Sequence, residues 1–454
     1  MKELDLTQGS VPKVLLQFAV PFLIANVLQA LYGGADLFVV GQYDDSASVA
    51  AVAIGSQVMQ TITGIILGIT TGTTVLIAIA TGAKDNRKVA FTIGSSVWLF
   101  SITGVVLTLV MVLFHSRIAE LMHTPVEAMV DTKNYILVCS LGILFIVGYN
   151  VVCGILRGLG DSKTPLYFVG LACVINIVLD FILVGYFHWG ATGAAIATVT
   201  AQGVSFGIAL WFLYRHGFHF DFSRKDIRLN RNLSKKILVL GAPIALQDAL
   251  INVSFLIITV IVNQMGVIAS ASLGVVEKII VFAMLPPMAI SSAVATMTAQ
   301  NYGAGLIKRM NKCLASGIGI ALVFGVSVCV YSQFLPETLT AFFTKDAAVV
   351  AMASDDLRGY SIDCIVVSFV FCINSYFSGQ GNSLFPMIHS LIATFLFRIP
   401  LSYWFSQIDS SSLFIMGFAP PISTVVSLLI CIWYLRYTQR KLYLRGTMMP
   451  AMSN

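Results

Sequence analysis

Long apolar runs, broken by short polar stretches, recur along the whole 454-residue chain. They fall near 14–40, 49–80, 89–114, 134–157, 166–187, 190–214, 237–265, 268–300, 313–334, 357–379, 385–407 and 414–437. Each run is long enough to cross a hydrocarbon core of about 30 Å as a helix. The runs are continuous rather than alternating, which excludes a transmembrane β-barrel. The pattern predicts an all-α polytopic membrane protein with about twelve transmembrane helices.

The same pattern contains a duplication. Arg157-Gly158-Leu159-Gly160-Asp161-Ser162-Lys163-Thr164-Pro165 is echoed by Ser378-Gly379-Gln380-Gly381-Asn382-Ser383-Leu384-Phe385-Pro386, 221 residues further on. Gly82-Ala83 and Gly303-Ala304 match at that offset, and Pro21 and Pro243 match within one residue of it. Each copy holds six spans, so the copies share orientation and form parallel repeats, two six-helix bundles. The predicted organisation is an N-lobe at 1–214, a cytoplasmic linker at 215–236, a C-lobe at 237–437 and a cytoplasmic tail at 438–454. Two bundles around a central cavity suit alternating access.

Charge orients this frame. Among 27 basic residues, alternate loops hold Lys2 and Lys13; Lys84, Arg87 and Lys88; Arg157 and Lys163; the linker cluster Arg215, Arg224, Lys225, Arg228, Arg231, Lys235 and Lys236; Lys308, Arg309 and Lys312; and Arg436, Arg440, Lys441 and Arg445. The opposite side holds Arg117, Lys133, Lys345 and Arg358. That asymmetry predicts an even number of spans with both termini cytoplasmic. The net charge of +6 is therefore a topology signal and not a nucleic-acid footprint. Composition agrees, with 57% hydrophobic and 11% charged residues, roughly half the charged share of a soluble chain. The polar start at Met1 to Lys13 and the full-length first run predict no cleavable signal peptide. The eight cysteines sit in or beside apolar segments without CxxC spacing, so no disulfide framework or metal site is expected.

Against this background the ionisable residues inside the spans stand out. Asp180 lies fourteen residues into the fifth span, about 21 Å from its start at 1.5 Å per residue. Asn176, one turn earlier, shares its face. Asp36 lies late in the first span, after Gly33-Gly34. A carboxylate at such depth costs a few kcal/mol, and the default reading is an ion or substrate pathway. Asp180 is then a proton carrier or, with Asp36 and amide oxygens, a Na+ ligand. The bland alternatives are a structural aspartate bonded to Asn176 and an interfacial Asp36. Pro21 kinks the first span, and bending there offers a way to couple ion binding to cavity shape.

The C-lobe carries Asp248, Glu277 and Arg398. An unpaired arginine at that depth is costly, so a structural pair of Arg398 with Asp248 or Glu277 is expected. The sharper alternative makes Asp248 or Glu277 a counter-charge for a cationic substrate. Asp363 is expected at the interface, and His389 in a helix–helix hydrogen bond. Tyr32, Met59, Met284 and Met288 are candidate walls of an adaptable cavity, although such residues more often pack or face lipid. The Gly158/Gly160 loop lacks a preceding strand and a Gly-Lys-Ser/Thr ending, so a tight turn restarting the fifth span is expected and no nucleotide site.

Pro21, Gly33-Gly34-Ala35-Asp36, Gly158-Leu159-Gly160-Asp161-Ser162-Lys163-Thr164-Pro165, Asn176-Ile177-Val178-Leu179-Asp180 and Gln300-Asn301-Tyr302-Gly303-Ala304-Gly305, in this order on a duplicated frame, resemble the multidrug and toxic-compound extrusion (MATE) transporters. The resemblance covers essentially the whole chain. Asp36 with Asn176/Asp180 is similar to the DinF-type branch. It implies a cation-coupling cluster of Asp36, Asn176, Asp180 and Thr198, with Asn150 as a further member. It also implies export of cationic or amphipathic compounds in exchange for inward H+ or Na+, with no other cofactor. The expected setting is a monomer in the plasma (inner) membrane, with no nucleic-acid partner. A lipid-linked oligosaccharide flippase of the same superfamily would need a more cationic cavity than Arg398 alone provides. A membrane-embedded enzyme would need a catalytic constellation, and none is visible. A channel would need a filter-like repeat.

Overall fold

The computed structural model describes residues 4–408 and 412–448, without the side chains of Arg224 and of residues 440–448. Lys2, residues 449–454 of the predicted tail, and the side chains of Arg224, Arg440, Lys441 and Arg445 therefore lie outside the described residues. The helices are α1 (Val11–Tyr43), α2 (Ser46–Gly82), α3 (Asn86–Leu121), α4 (Met129–Leu141), α5 (Ile143–Leu159), α6 (Lys163–Asp180), α7 (Gly190–His216), α8 (Arg231–Asn263), α9 (Val267–Gly303), α10 (Ile307–Phe334), α11 (Pro336–Thr340), α12 (Ala347–Gly379), α13 (Leu384–Ile392), α14 (Ile399–Ile408) and α15 (Ala419–Met448). A π-helical turn, Phe181–Tyr186, continues α6, and another, Ala393–Arg398, joins α13 to α14. No strand occurs among the described residues.

Among these residues 11 helical stretches are long and apolar enough to cross a membrane, and the bent pair α4–α5 brings the number to 12. The fourth predicted span is thus two helices meeting at 48°. Gly142 forms the joint, where a Cβ would meet Val199 of α7 at 2.6 Å. A bend with no side chain at its corner lets α7 press into it.

The chain divides into two packed units. The first is Met1–Ala249 with Thr296–Met310 and Gly379–Gly381; the second is Leu250–Ala295, Asn311–Ser378 and Asn382–Asn454. The division cuts α8 and α9 rather than the 215–236 linker. Backbone contact explains this. On α2, Gly68 lies against Ala245 and Gly72 against Ile237, both of α8, where a Cβ would sit 2.6 and 2.5 Å away. At the end of α2 a Cβ on Gly82 would fall 1.8 Å from the Gln300 carbonyl oxygen of α9, and one on Gly303 would fall 1.9 Å from the Ile79 carbonyl oxygen. Gly82/Gly303 and Ile79/Gln300 are both repeat-related pairs, so the crossing is reciprocal, as in a two-fold contact. Beside it the Asn301 amide donates to the Leu6 carbonyl at 3.1 Å, and Arg309 donates to the carbonyls of Leu6, Gln8 and Gly9. Leu6 is fully buried there.

Within the first unit α5 packs on α2 through Gly154 and Gly158, which admit Thr70 and Ile77. The Thr74 hydroxyl donates to the Gly154 carbonyl at 3.0 Å. The linker is partly apolar in its packing. Phe218, Phe220 and Phe222 lie against the core, and the Trp98 indole donates to the Ile227 carbonyl.

The Gly158/Gly160 loop is the expected turn. Gly160 adopts a left-handed φ of 101°, its N–H bonds the Arg157 carbonyl, and the Asp161 N–H bonds the Leu156 carbonyl. This is a Schellman ending, where glycine avoids the Cβ penalty. Asp161 then accepts from the N–H groups of Lys163 and Thr164 and starts α6. The second copy repeats it. Gly381 has φ of 86°, the Asn382 N–H bonds the Phe377 carbonyl, and Asn382 accepts from the Phe385 N–H.

In the second unit His389 joins three helices, as expected. Its Nε2 lies 2.7 Å from Asn374 Oδ1, so it carries the proton, and Nδ1 faces the Ser427 hydroxyl at 2.8 Å. Phe385 stacks on Tyr434 with centroids 3.9 Å apart.

Candidate functional site

Three helices of the first unit each contribute two polar residues one turn apart. They are Tyr32 and Asp36 on α1, Asn176 and Asp180 on α6, and Thr198 and Gln202 on α7. The spacing of four aligns each pair along one helix face, and the three faces converge. The Thr198 hydroxyl donates to Asp36 Oδ2 at 3.1 Å and accepts from the Asn176 amide at 3.4 Å. The carboxyls of Asp36 and Asp180 lie within hydrogen-bond reach of each other. Tyr32 and Gln202 line one small cavity beside these carboxyls.

Burial is nearly complete. Asp36 is 5% exposed, and Asn176 and Asp180 are 0% exposed. Asp36 Oδ1, both Asp180 oxygens and Asn176 Oδ1 have no hydrogen-bond donor in the protein. No ion pair reaches either aspartate among the described residues; those present join Glu120 to Arg117 and Lys133, and Asp355 to Arg358. Two carboxyls in contact, away from water and without a cationic partner, need a proton between them or a bound cation. The four donor-less oxygens form a hard, all-oxygen set of the kind that Na+ also accepts.

Asp180 closes α6 at the start of the π-helical turn. Such a turn widens the helix and frees backbone groups, and it is frequent at functional sites. The structure does not join Asn150 to the cluster. Its amide donates to the Ile146 carbonyl of its own helix at 2.8 Å. Gln202, Tyr149 and Gln29, which line a cavity beside Tyr32, are functional candidates that the sequence reading missed. The four-residue step from Thr198 to Gln202 was the available signal.

Several C-lobe expectations are corrected. No ion pair within the salt-bridge distance joins Arg398 to Glu277 or to another acid of the second unit, among the described residues. The guanidinium instead stacks over Phe255 at 4.4 Å and donates to the Tyr360 hydroxyl at 3.2 Å. Arg398 ends a π-helical turn and lines a cavity with Glu277, Asp356 and Tyr360. Aromatic faces thus take the role assigned to a carboxylate. Asp363 is packed inside the second unit at 4% exposure, as is Asp356, a further buried acid of α12. Met59 is buried in the core of the first unit and is not a cavity wall. Met284 packs on an apolar cluster of the second unit, whereas Met288 is 46% exposed. Asp248 is exposed on α8 of the first unit.

A duplicated frame of membrane-length helices with two carboxyls buried together among α1, α6 and α7 defines a multi-pass membrane transporter and not an enzyme. The comparisons place it further. The family model MatE matches residues 21–182 and again 243–404, so the chain belongs to the MatE family. The two matches coincide with the two repeat copies. The chain is 29% identical over 407 residues to the probable multidrug resistance protein YpnP of Bacillus subtilis, covering 89% of this chain and 91% of that protein. It is 26% identical over 380 residues to the multidrug export protein MepA of Staphylococcus aureus, covering 82% of each. A solved outward-facing multidrug resistance MATE family transporter of the MOP superfamily superposes with a TM-score of 0.91 at 23% identity, covering 97% of this chain and 99% of that one.

Proposed function

We propose that this chain is a secondary-active multidrug exporter that moves cationic and amphipathic compounds outward in exchange for inward protons. It works by alternating access in the cell membrane, with both termini cytoplasmic, and resembles the DinF-type branch in its N-lobe acids. The carrying observation is the Asp36–Asp180 contact, two buried carboxyls with three of their four oxygens lacking a protein donor. A proton shared between them satisfies the contact; removing it sets two like charges together in a low-dielectric core, which drives a rearrangement. The names of the relatives support the substrate class. Asn176 Oδ1, also without a donor, favours a second reading in which Na+ occupies the same oxygens.

Proteoliposomes loaded with ethidium decide the ion when a pH gradient and a Na+ gradient are imposed separately. The pH gradient alone is expected to drive export, and Asp180→Asn, still monodisperse, is expected to abolish it. Export driven only by Na+ selects the second reading. Gradient-driven export unchanged in Asp180→Asn sinks both.

A further inference from the structure

The segment between α7 and α8 is not a free loop. Phe218, Phe220 and Phe222 turn toward the core of the first unit, whereas the alternate residues His219, Asp221 and Ser223 are exposed. The Phe220 and Phe222 rings lie 5.2 and 5.3 Å from that of Phe218. Residues 226–228 then run along α3. A Cβ on Gly94 would fall 1.9 Å from the Asp226 carbonyl oxygen, and the Trp98 indole donates to the Ile227 carbonyl at 3.1 Å. The Arg228 guanidinium lies 5.2 Å over the Phe91 ring. Arg87, Phe91, Gly94 and Trp98 recur at helical spacing, so Arg87 belongs to the same face of α3.

The depth of this contact follows from α3 itself. Residues 97–114 carry no charge and cover about 27 Å at 1.5 Å per residue, nearly the whole hydrocarbon core. Ile102, Val105, Leu109 and Leu113 are exposed along that stretch, as lipid-facing side chains are. Trp98, 43% exposed with its indole N–H bonded, stands at the boundary with water, where tryptophan is enriched. The preceding turns of α3 and the segment packed on them lie at and just beyond the headgroups.

That layer is basic. Arg87, Lys225, Arg228 and Arg231 are exposed, and no ion pair reaches any of them among the described residues. Of the segment's two acids, Asp226 is engaged by the Ser223 N–H and hydroxyl, which leaves Asp221. The positive-inside bias accounts for the side on which these residues lie, not for their being fastened to a membrane-spanning helix at headgroup depth. Phosphodiester groups match them. A guanidinium takes a phosphate through two parallel hydrogen bonds, and each basic side chain beside an anionic leaflet adds roughly fivefold to binding.

We infer that the α7–α8 segment and the start of α3 form a docking surface for anionic phospholipid headgroups, held by Arg87, Lys225 and Arg228. The charge bias makes the leaflet the cytoplasmic one. The surface is independent of the substrate and of the coupling ion.

The full-length chain in detergent is titrated with phosphatidylglycerol or phosphatidylcholine bearing a pyrene-labelled chain, and energy transfer from tryptophan to pyrene reads binding. Wild type is expected to bind the anionic lipid roughly tenfold or more tightly than the zwitterionic one, with the preference shrinking as salt rises. Equal affinity for the two lipids overturns the proposal whether or not any variant folds. Lys225→Gln/Arg228→Gln is expected to lose most of that preference while binding phosphatidylcholine as before; an unchanged preference overturns the assignment of these residues. Lys308→Gln/Lys312→Gln removes the same charge from another loop and is expected to bind as wild type. An equal loss there shows attraction by net charge alone and overturns the site. Displacement of the labelled lipid by equal concentrations of glycerol phosphate or polyglutamate makes a soluble anion or an acidic protein the occupant, which also overturns it.

Discussion

Gly82→Ala tests the reciprocal crossing of α2 and α9. The added methyl would lie 1.8 Å from the Gln300 carbonyl oxygen, and real Cβ contacts are essentially never below 3.0 Å, so the helices must part by about 1.2 Å. The obstructing atoms are backbone and cannot rotate aside. Nor can α2 simply tilt, because Gly72 meets Ile237 and Gly241 meets Ile69 with Cβ distances of 2.5 Å at its contact with α8. Overpacking of this kind costs about 1–3 kcal/mol. A penalty of about 2 kcal/mol confined to the state that contains the crossing shifts a two-state equilibrium roughly 30-fold away from it. Spin labels on the exposed residues 84 and 308, read by double electron–electron resonance, report the separation at this end. A broadened, longer distance distribution is expected in Gly82→Ala, and Gly303→Ala should reproduce it because the contact is reciprocal. An unchanged short distance with unchanged thermal stability in both variants refutes the close-contact reasoning.

Two further outcomes follow from single side chains. Arg309→Ala removes the donor shared by the carbonyls of Leu6, Gln8 and Gly9, so tryptic cleavage after Lys13 in detergent should accelerate; an unchanged cleavage rate counts against the N-terminal segment being held there. His389→Leu leaves Asn374 and Ser427 without their partner and should cost on the order of 1 kcal/mol, seen as a drop in melting temperature, whereas an unchanged melting temperature shows that the three-helix bond adds nothing.

Much of the frame is legible without coordinates because its signals are local. Hydrocarbon thickness demands a run of apolar residues at each crossing, so the spans are visible one at a time. The Gly160 and Gly381 turns repeat because the same local hydrogen bonds need the same residues 221 positions apart. Asp36, Asn176 and Asp180 are conspicuous as polar residues in apolar runs. Thr198 entered only through family resemblance, and Gln202 and Tyr149 not at all, since hydroxyl and amide side chains are common in spans and owe their meaning to what they face. Charge misled where a partner was assumed. Arg398 was expected to need a carboxylate, yet aromatic rings and a tyrosine hydroxyl hold it. Position along the span assigns Asp363 a depth but carries no information about which way the side chain turns, and the structure turns it into the second unit at 4% exposure.

The linear pattern thus determined the number of crossings, their duplication, their expected orientation and the polar residues they must accommodate. The tertiary structure decided the rotation of each helix about its own axis, and with it which polar faces meet. It turned three i, i+4 pairs on α1, α6 and α7 into one cluster, and it turned Met59 inward to the core. The physical reason is that lipid rewards any apolar surface alike, so hydropathy fixes depth but not azimuth. Azimuth is set by close packing at small residues such as Gly82 and Gly154 and by the cost of leaving a buried polar atom alone.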